Sequence, residues 1–211
     1  MFNVSQTLID YGYVGMFLIS LIENGIFFFL PGDSMVIMAG ILAADKVFNI
    51  YIVITIFIIG SFIGNLIGYE IGQRLEMWRE KLEKNIKNKY SKRNLFTKII
   101  LRIFKDEYIK EAHFVFNKYG ERIVIVQRFI PVVRTFGPMV AGMVGMNYKK
   151  YVLYSAIGAV IWSVSLTVPM YILGRRYSSL GDRIEQIVIG ITIISILPIF
   201  YKIVKRYKVQ K

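Results

Sequence analysis

The chain of 211 residues contains no cysteine, a single histidine and few acidic residues. Without cysteine there is no disulfide, no thiolate nucleophile and no cysteine-ligated metal site. His113 alone does not make a histidine metal site, and we interpret it as a structural or solvated side chain. These absences exclude the enzyme classes built on such residues. We therefore expect no metal, no cofactor and no catalytic residues.

Acidic residues number 14 against 27 Lys and Arg, which gives a formal net charge of +13. A strongly basic soluble protein would suggest nucleic-acid binding, but long charge-free runs argue against that class. The chain is 55% hydrophobic, above the roughly 45–50% of soluble domains. We predict one polytopic all-α membrane domain over residues 1–211, in an inner membrane and without a nucleic-acid partner.

Three apolar stretches are long enough to cross a bilayer. Residues 47–69 and 151–174 contain 23 and 24 residues without a charge, and a spanning helix needs about 20. Residues 184–201 predict an extra C-terminal transmembrane helix.

A basic segment separates the first two stretches. Residues 74–110 hold 12 Lys or Arg and 5 Asp or Glu, which predicts a cytoplasmic loop, and the basic C-terminus is expected on the same side. Within the loop at 75–118, apolar residues recur every four positions from Phe96 to Phe116. This pattern is typical of an amphipathic helix, either on the membrane surface or packed on the protein's own core.

Residues 121–147 carry no charge after Arg122 except for Arg128 and Arg134, which lie in an otherwise apolar run. An arginine near the bilayer centre costs roughly 2.5–3.5 kcal/mol on insertion scales, and prolines interrupt the helix. A re-entrant hairpin, broken where its charges face water or protein, is favoured over a simple span. Residues 13–44 predict a second hairpin of this kind. The predicted helix breaks are Pro31, Gly32, Pro131, Gly137 and Pro138.

An internal repeat is indicated by matching pairs 102 residues apart. Ala39-Gly40 matches Ala141-Gly142, and Tyr69 with Gly72 matches Tyr171 with Gly174. The repeats would be residues 13–74 and 119–176, each a re-entrant hairpin followed by a span. Because the basic loop lies between the two spans, the repeats are expected to be inverted, as in secondary transporters that bind substrate at broken helices.

Four charges lie in the predicted hairpins, and if the hairpins meet, two acids face two bases. The arginines offer forked donors that fit a phosphate, and intramembrane carboxylates carry protons in pumps. The alternative is a structural cluster that only joins the hairpins. The candidate residues are Arg128 and Arg134 for a lipid phosphate, and Glu23 and Asp33 for proton coupling.

Several blocks of the sequence together form a specific pattern: Glu23-Asn-Gly25, Pro31-Gly-Asp33-Ser, Ala39-Gly40, Arg128-Phe-Ile-Pro131-Val-Val-Arg134-Thr-Phe, and Ala141-Gly-Met143 with Met146. These blocks resemble the DedA family of bacterial inner-membrane proteins, also called the VTT or SNARE-associated domain group. The resemblance covers roughly residues 10–201, and Asn65 stands where many relatives have an acid. It implies two opposed re-entrant hairpins and translocation of undecaprenyl phosphate or of phospholipids such as phosphatidylethanolamine, dependent on the proton motive force.

The function expected from these observations is that of a flippase for a phosphate-bearing lipid, with the lipid and protons as partners. A proton-coupled antiporter of small cations and a passive lipid scramblase remain alternatives. A membrane enzyme acting on lipid phosphates is disfavoured, because no Ser-His-Asp set or metal cluster is available. The oligomeric state stays open, with a homodimer among the options.

Overall fold

The fold is that of a computed structural model, which describes residues 4–25, 32–87 and 120–176. Every regular element in these three ranges is helical, so the predicted all-α class is confirmed for them. The elements are α1 (Val4–Gly25), α2 (Gly32–Ala44), α3 (Ile50–Lys87), a 3-10 turn (Gly120–Arg122), α4 (Ile123–Val126), a second 3-10 turn (Gln127–Phe129), α5 (Pro131–Met143) and α6 (Tyr148–Arg176).

Two helices in the described ranges are long and apolar enough to cross a membrane: Ile50–Arg79 of α3 and Tyr148–Arg176 of α6, with mean hydropathy 2.4 and 1.8. Large apolar side chains are exposed along α6 at Leu153, Ile157 and Val160. A continuous apolar stripe is unfavourable in water and is the expected surface in lipid. Both predicted spans fall on these helices, although α3 begins three residues after Val47.

Helix α3 continues well beyond the end predicted for it. The helix was expected to end near Arg74, with a loop from residue 75, but it runs unbroken to Lys87. Its 38 residues measure about 57 Å at 1.5 Å per residue, against a hydrocarbon core of about 30 Å. The extension contains no glycine or proline, and an ion pair one turn apart, Glu76 with Arg79 at 2.7 Å, supports it.

Residues 120–147 do not form one continuous helix. The helical run from Gly120 ends at Ile130, whose backbone is extended with φ −112° and ψ 106°. Pro131 then occupies the first turn of α5, where its missing N–H costs no intrahelical hydrogen bond. The interruption predicted at Pro131 is therefore present, and Arg128 and Arg134 lie on either side of it.

The predicted break at Gly137 and Pro138 is wrong, because both residues lie inside α5. Pro138 lacks the N–H that would donate to the carbonyl of Arg134, but its fixed φ is compatible with a helix and α5 continues to Met143. Gly137 instead provides space. A Cβ built on it would collide with the side-chain amide of Gln127.

Residues 13–44 contain parts of two helices. Gly12 has φ 56°, which glycine adopts readily, and divides α1. Gly32 opens α2, whose 13 residues measure about 20 Å and are too short to span a bilayer. Pro31 and the rest of the hairpin tip lie outside the described residues. The re-entrant course of both hairpins remains a prediction.

The chain packs as two compact units. In the described ranges, the first unit contains α1 to Ile19, α2, α3 to Ile58 and α6 from Ile161. The second unit contains the remainder of α1, α3 from Ile59, residues 120–147 and α6 to Val160. The core of the first unit is apolar and includes Met35, Val36, Phe57 and Trp162.

In each unit a short helix packs closely on a long helix through glycine. Within the first unit, a Cβ on Gly40 of α2 would lie 2.7 Å from the backbone oxygen of Thr167 on α6. Within the second unit, a Cβ on Gly142 of α5 would collide with the backbone oxygen of Tyr69 on α3. Gly40 and Gly142 are one of the pairs 102 residues apart. Each short helix thus packs on the long helix of the other predicted repeat.

Three predictions fall outside the described residues. They are the amphipathic helix from Phe96 to Phe116, the C-terminal span at 184–201 and the environment of His113. The inverted orientation of the two repeats also stays a prediction, since orientation in a membrane is not defined by the packing within each unit.

Candidate functional site

Arg134 forms an ion pair with Glu23 inside the second unit. Arg134 lies in the first turn of α5 and its backbone N–H donates to the carbonyl of Ile130 at 2.8 Å. Its side chain is 3% exposed and that of Glu23 is 8% exposed. A buried charge is tolerated when it is paired, so each group compensates the other. One of the predicted acid–base pairs is therefore present.

Arg128 is also buried, with 2% of its surface exposed. Its Nη1 donates to Ser61 Oγ at 3.3 Å, and its Nη2 donates to the carbonyl oxygen and hydroxyl of Ser155 at 3.0 and 3.1 Å. Ser61 is on α3 and Ser155 is on α6. These acceptors are uncharged, so they orient the guanidinium without neutralising it.

Asn65 completes the shell around Arg128. With the amide oriented so that its oxygen faces the guanidinium, Oδ1 accepts from both terminal nitrogens and lies 3.2 Å from Nη1. The same orientation places Nδ2 3.3 Å from the carbonyl oxygen of Asn24. The hydroxyl of Tyr151 donates to the backbone carbonyl of Asn65 at 3.0 Å. None of the partners that the described residues offer Arg128 is an acid.

Glycine makes room for the stem of Arg128. A Cβ on Gly158 of α6 would lie 3.0 Å from both Cδ and Nε of Arg128. The guanidinium therefore reaches Ser155 one turn earlier on the same helix because position 158 carries no side chain.

Asp33 belongs to the first unit. It is in the first turn of α2, where a carboxylate is favoured by the helix dipole, and it accepts a side-chain hydrogen bond from Trp162. The structure therefore brings Glu23, Arg128 and Arg134 into one compact unit and places Asp33 in the other.

Three buried polar atoms of the second unit have no hydrogen-bond partner among the described residues: Ser20 Oγ, Asn24 Oδ1 and Gln127 Nε2. Their residues are at most 2% exposed. Buried polar atoms are usually satisfied by protein or by ordered water. The second unit thus has spare hydrogen-bonding capacity next to its buried charges.

Among the neutral residues of this site, the sequence singled out only Asn65, through the family resemblance, and it did not indicate Ser61 or Ser155 as partners of Arg128. Ser61 and Asn65 are polar residues four apart within an otherwise apolar run, and this spacing places them on one helix face. This spacing indicates that Ser61 and Asn65 share a face of α3, but no neighbouring residue indicates that Arg128 is their partner.

An ion pair near the surface joins the 3-10 turn at Gly120–Arg122 to α6 in the second unit. Lys150 at the start of α6 forms an ion pair with Glu121, 2.5 Å away. The hydrogen bond from Lys150 lowers the pKa of Glu121. The side chain of Lys150 is 59% exposed and that of Glu121 is 35% exposed. An ion pair this accessible to solvent contributes little stability.

Long helices with apolar outer stripes and charges buried inside define an α-helical integral membrane protein. The family model described as the VTT domain matches residues 30–172, and the chain belongs to this family. It is 31% identical to Protein DedA of Escherichia coli K12 over 96% of this chain and 88% of that protein.

Two further relatives are named as membrane proteins. An uncharacterized membrane protein of Mycobacterium leprae is 32% identical over 84% of this chain and 72% of its own length. The inner membrane protein YqjA of Escherichia coli K12 is 28% identical over 77% of this chain and 68% of its own length. No solved structure matches the chain.

Proposed function

We propose that this protein transports a phosphate-bearing lipid across the membrane, driven by the proton motive force. The cargo is undecaprenyl phosphate or a phospholipid such as phosphatidylethanolamine. The observation that carries the proposal is the buried guanidinium of Arg128, whose partners among the described residues are all neutral. An uncompensated buried cation is costly, and an anionic headgroup would remove that cost.

The chemistry of the arginine side chain favours phosphate. The guanidinium presents planar forked donors that match phosphate oxygens, and a charge-assisted hydrogen bond is roughly twice as strong as a neutral one. A phosphate that replaces the serine hydroxyls at Arg128 therefore exchanges weaker bonds for stronger ones. Arg134, after the break at Ile130, supplies a second cation for the same headgroup.

Protons enter the proposed cycle through carboxylates. Protonation of Glu23 removes the charge that compensates Arg134 and weakens their ion pair. The guanidinium of Arg134 then exchanges Glu23 for the phosphate of the headgroup. The interruption of the helix from Ile130 to Pro131 is where α5 can move relative to α4. Asp33, held by Trp162 at the start of α2, is the second proposed proton carrier.

The test is transport in liposomes that contain the full chain and labelled undecaprenyl phosphate, with and without a pH gradient. We expect Arg128→Ala and Arg134→Ala to slow transport by about tenfold or more, and Glu23→Gln and Asp33→Asn to remove the response to the gradient. Arg175→Ala, which changes an exposed arginine near the end of α6, is the matched control and should transport normally.

The outcomes separate the competing functions. Wild-type rates in both buried-arginine variants would refute the proposal. Ion transport that requires Glu23 and Asp33 but ignores both arginines would indicate an antiporter. Lipid movement that is indifferent to the gradient would indicate a passive scramblase.

A further inference from the structure

The first unit contains a cavity of about 400 Å³ where the end of α2, the start of α3 and the last part of α6 come together. Its walls include Lys46 and Val47 from the α2–α3 connection, Tyr51 from α3 and Tyr171 from α6. The volume falls in the range of about 300–1,000 Å³ that ligand sites occupy. All the described residues that line it belong to the first unit, so it is a different candidate site from the buried arginines.

Lys46 holds a backbone conformation that suits glycine rather than lysine. Its φ is 61°, in the left-handed region where the Cβ of an L-residue crowds its own backbone. Within the described ranges it is the one residue other than glycine with a positive φ.

Helix α5 ends in the same turn as α2, but with glycine at this position. The N–H of Lys46 donates to the carbonyl three residues earlier, and the N–H of the next residue donates to the carbonyl five residues earlier. Gly145 makes the same two hydrogen bonds after α5 and has φ 68°. The turn itself therefore does not require a lysine, and the side chain of Lys46 needs another explanation.

The surroundings of Lys46 are suited to an anionic headgroup with an apolar tail. An ammonium group is a common phosphate binder, and tyrosine is enriched at the level of the lipid headgroups. Tyr51 is 79% exposed and Val47 is 48% exposed, and these side chains offer apolar surface beside the charge. A second cation is close, because the guanidinium of Arg175 lies 5.8 Å from the ring centroid of Tyr171. The adjacent Asp45 is not among the described residues that line the cavity.

The cavity lies at the start of α3, the end of that helix opposite to the basic segment at residues 74–110. Because the basic segment is expected in the cytoplasm, the cavity is expected at the outer surface of the membrane. Exposed apolar side chains flank it on both long helices, at Ile52 of α3 and Ile172 of α6. A lipid in the outer leaflet can therefore approach it with its tail remaining in the bilayer.

We propose that this cavity is a docking site for the phosphate-bearing headgroup of a lipid in the outer leaflet, with Lys46 as the cation that binds the phosphate. The inference rests on the proposed function, because it gives the transported lipid a second binding site outside the buried arginines.

The absence of cysteine from the chain allows the cavity to be probed with a single introduced thiol. The full chain with Val47→Cys is purified in neutral detergent, and its rate of reaction with a maleimide is measured in the presence of undecaprenyl phosphate, undecaprenol or inorganic phosphate. Undecaprenyl phosphate should slow the reaction by about fivefold at about four times its dissociation constant. At the same concentration, undecaprenol and inorganic phosphate should change the rate by less than about twofold.

Lys46→Gly, added to Val47→Cys, separates a binding role from a structural one. It should raise the lipid concentration that gives half-maximal protection by about fivefold, the scale of one basic side chain at an anionic lipid surface. The melting temperature should stay equal or rise, because glycine suits a φ of 61°. Lys46→Arg keeps the charge and should leave this concentration within about twofold of the value for Lys46.

Two controls lie at the opposite end of α6 from Tyr171. Tyr148 is 47% exposed and is followed by two lysines, so Tyr148→Cys reports on any general attraction of anionic lipid to basic surface. Its labelling should respond equally to undecaprenyl phosphate and undecaprenol. Lys149→Ala, added to Val47→Cys, removes the same charge as Lys46→Gly away from the cavity and should leave the protection unchanged.

Tyr51→Cys provides a second reporter in the same cavity, for use if Val47→Cys does not fold. Labelling that undecaprenyl phosphate leaves unchanged at both positions would overturn the inference. So would equal protection by undecaprenol or by inorganic phosphate, equal protection at Tyr148→Cys, or protection that persists undiminished in Lys46→Gly.

Transport measured in liposomes separates this inference from the proposed function. If the wild-type chain moves undecaprenyl phosphate but the cavity thiols are not protected, only the inference fails. If the wild-type chain moves no lipid, the proposed function fails and docking of a transported lipid fails with it, whatever the labelling shows. Arg128→Ala, added to Val47→Cys, should slow transport yet keep the protection, because the cavity binds the headgroup without that arginine.

Discussion

The stem of Arg128 passes directly over Gly158, where a Cβ would lie 3.0 Å from both Cδ and Nε. Arg128 precedes the break at Ile130 in the chain. Because Gly158 leaves space for its stem, its guanidinium reaches Ser155 on α6. The position of the charge therefore depends on a missing side chain on another helix.

Replacement of Gly158 by valine is expected to displace Arg128 and impair lipid transport. The side chain of Arg128 is long and buried, and the methyl groups of a valine at position 158 would occupy the space of its Cδ and Nε. We expect a loss of transport comparable to that of Arg128→Ala, about tenfold or more, measured in liposomes. Val160→Leu adds a methylene on the exposed face of the same helix and should have no effect. Normal transport by Gly158→Val would show that Arg128 need not occupy this position.

The close approach of α5 to α3 predicts sensitivity at Gly142. A Cβ there would collide with the backbone of Tyr69, and backbone cannot give way as a flexible side chain can. Gly142→Val should destabilise by about 1–3 kcal/mol or more, in the range of overpacked cores, measured as a lower melting temperature in detergent. Val133→Leu, on an exposed position of α5, is the control.

Because Gly40 and Gly142 occupy matching positions in the predicted repeats, Gly40→Val should be destabilising in the same way. A Cβ added at Gly40 would lie 2.7 Å from the backbone oxygen of Thr167. A tolerated Gly40→Val beside a damaging Gly142→Val would argue that the two contacts are not equivalent.

The surface pair of Glu121 and Lys150 predicts a small pH effect. The hydrogen bond from Lys150 lowers the pKa of Glu121 below its ordinary value of 4.5. A group whose pKa is lower in the folded state than in the unfolded state stabilises the fold at pH values above its pKa in the unfolded state. That stabilisation is lost as the pH falls through its pKa in the folded state. Glu121→Gln should therefore lower the melting temperature slightly near neutral pH and leave it unchanged well below the folded pKa. A deficit that persists at low pH would contradict this assignment.

The sequence predicts the charged part of the site because charge in an apolar run is costly and must be explained. Arg128 and Arg134 follow from that reasoning, and so does a carboxylate partner for one of them. The break at Pro131 follows from the missing backbone donor of proline. These are local properties, which can be read from neighbouring residues.

The rest of the site depends on contacts between residues that are far apart in the sequence. Ser61 and Ser155 lie 67 and 27 residues from Arg128, and no local pattern indicates that they meet. Asp33 was expected to face the arginines, and this stays a prediction; within the first unit its partner is Trp162, which no local pattern indicates. Gly137 and Pro138 were expected to break a helix, yet both lie inside α5, where Gly137 makes room for the side chain of Gln127.

The ion pair of Glu23 and Arg134 predicts strong coupling in stability. Removal of one partner leaves a buried, uncompensated charge, which costs about 3–5 kcal/mol, whereas replacement of both by uncharged side chains can be nearly neutral. Glu23→Gln and Arg134→Gln should each lower the melting temperature, and the double variant should be more stable than the sum of the single effects predicts. The same cycle built with Glu76 and Arg79, a pair within α3, should show a much smaller coupling. Additive effects of Glu23→Gln and Arg134→Gln would mean that the pair does not act as a unit, and protonation of Glu23 would then have no means of releasing Arg134.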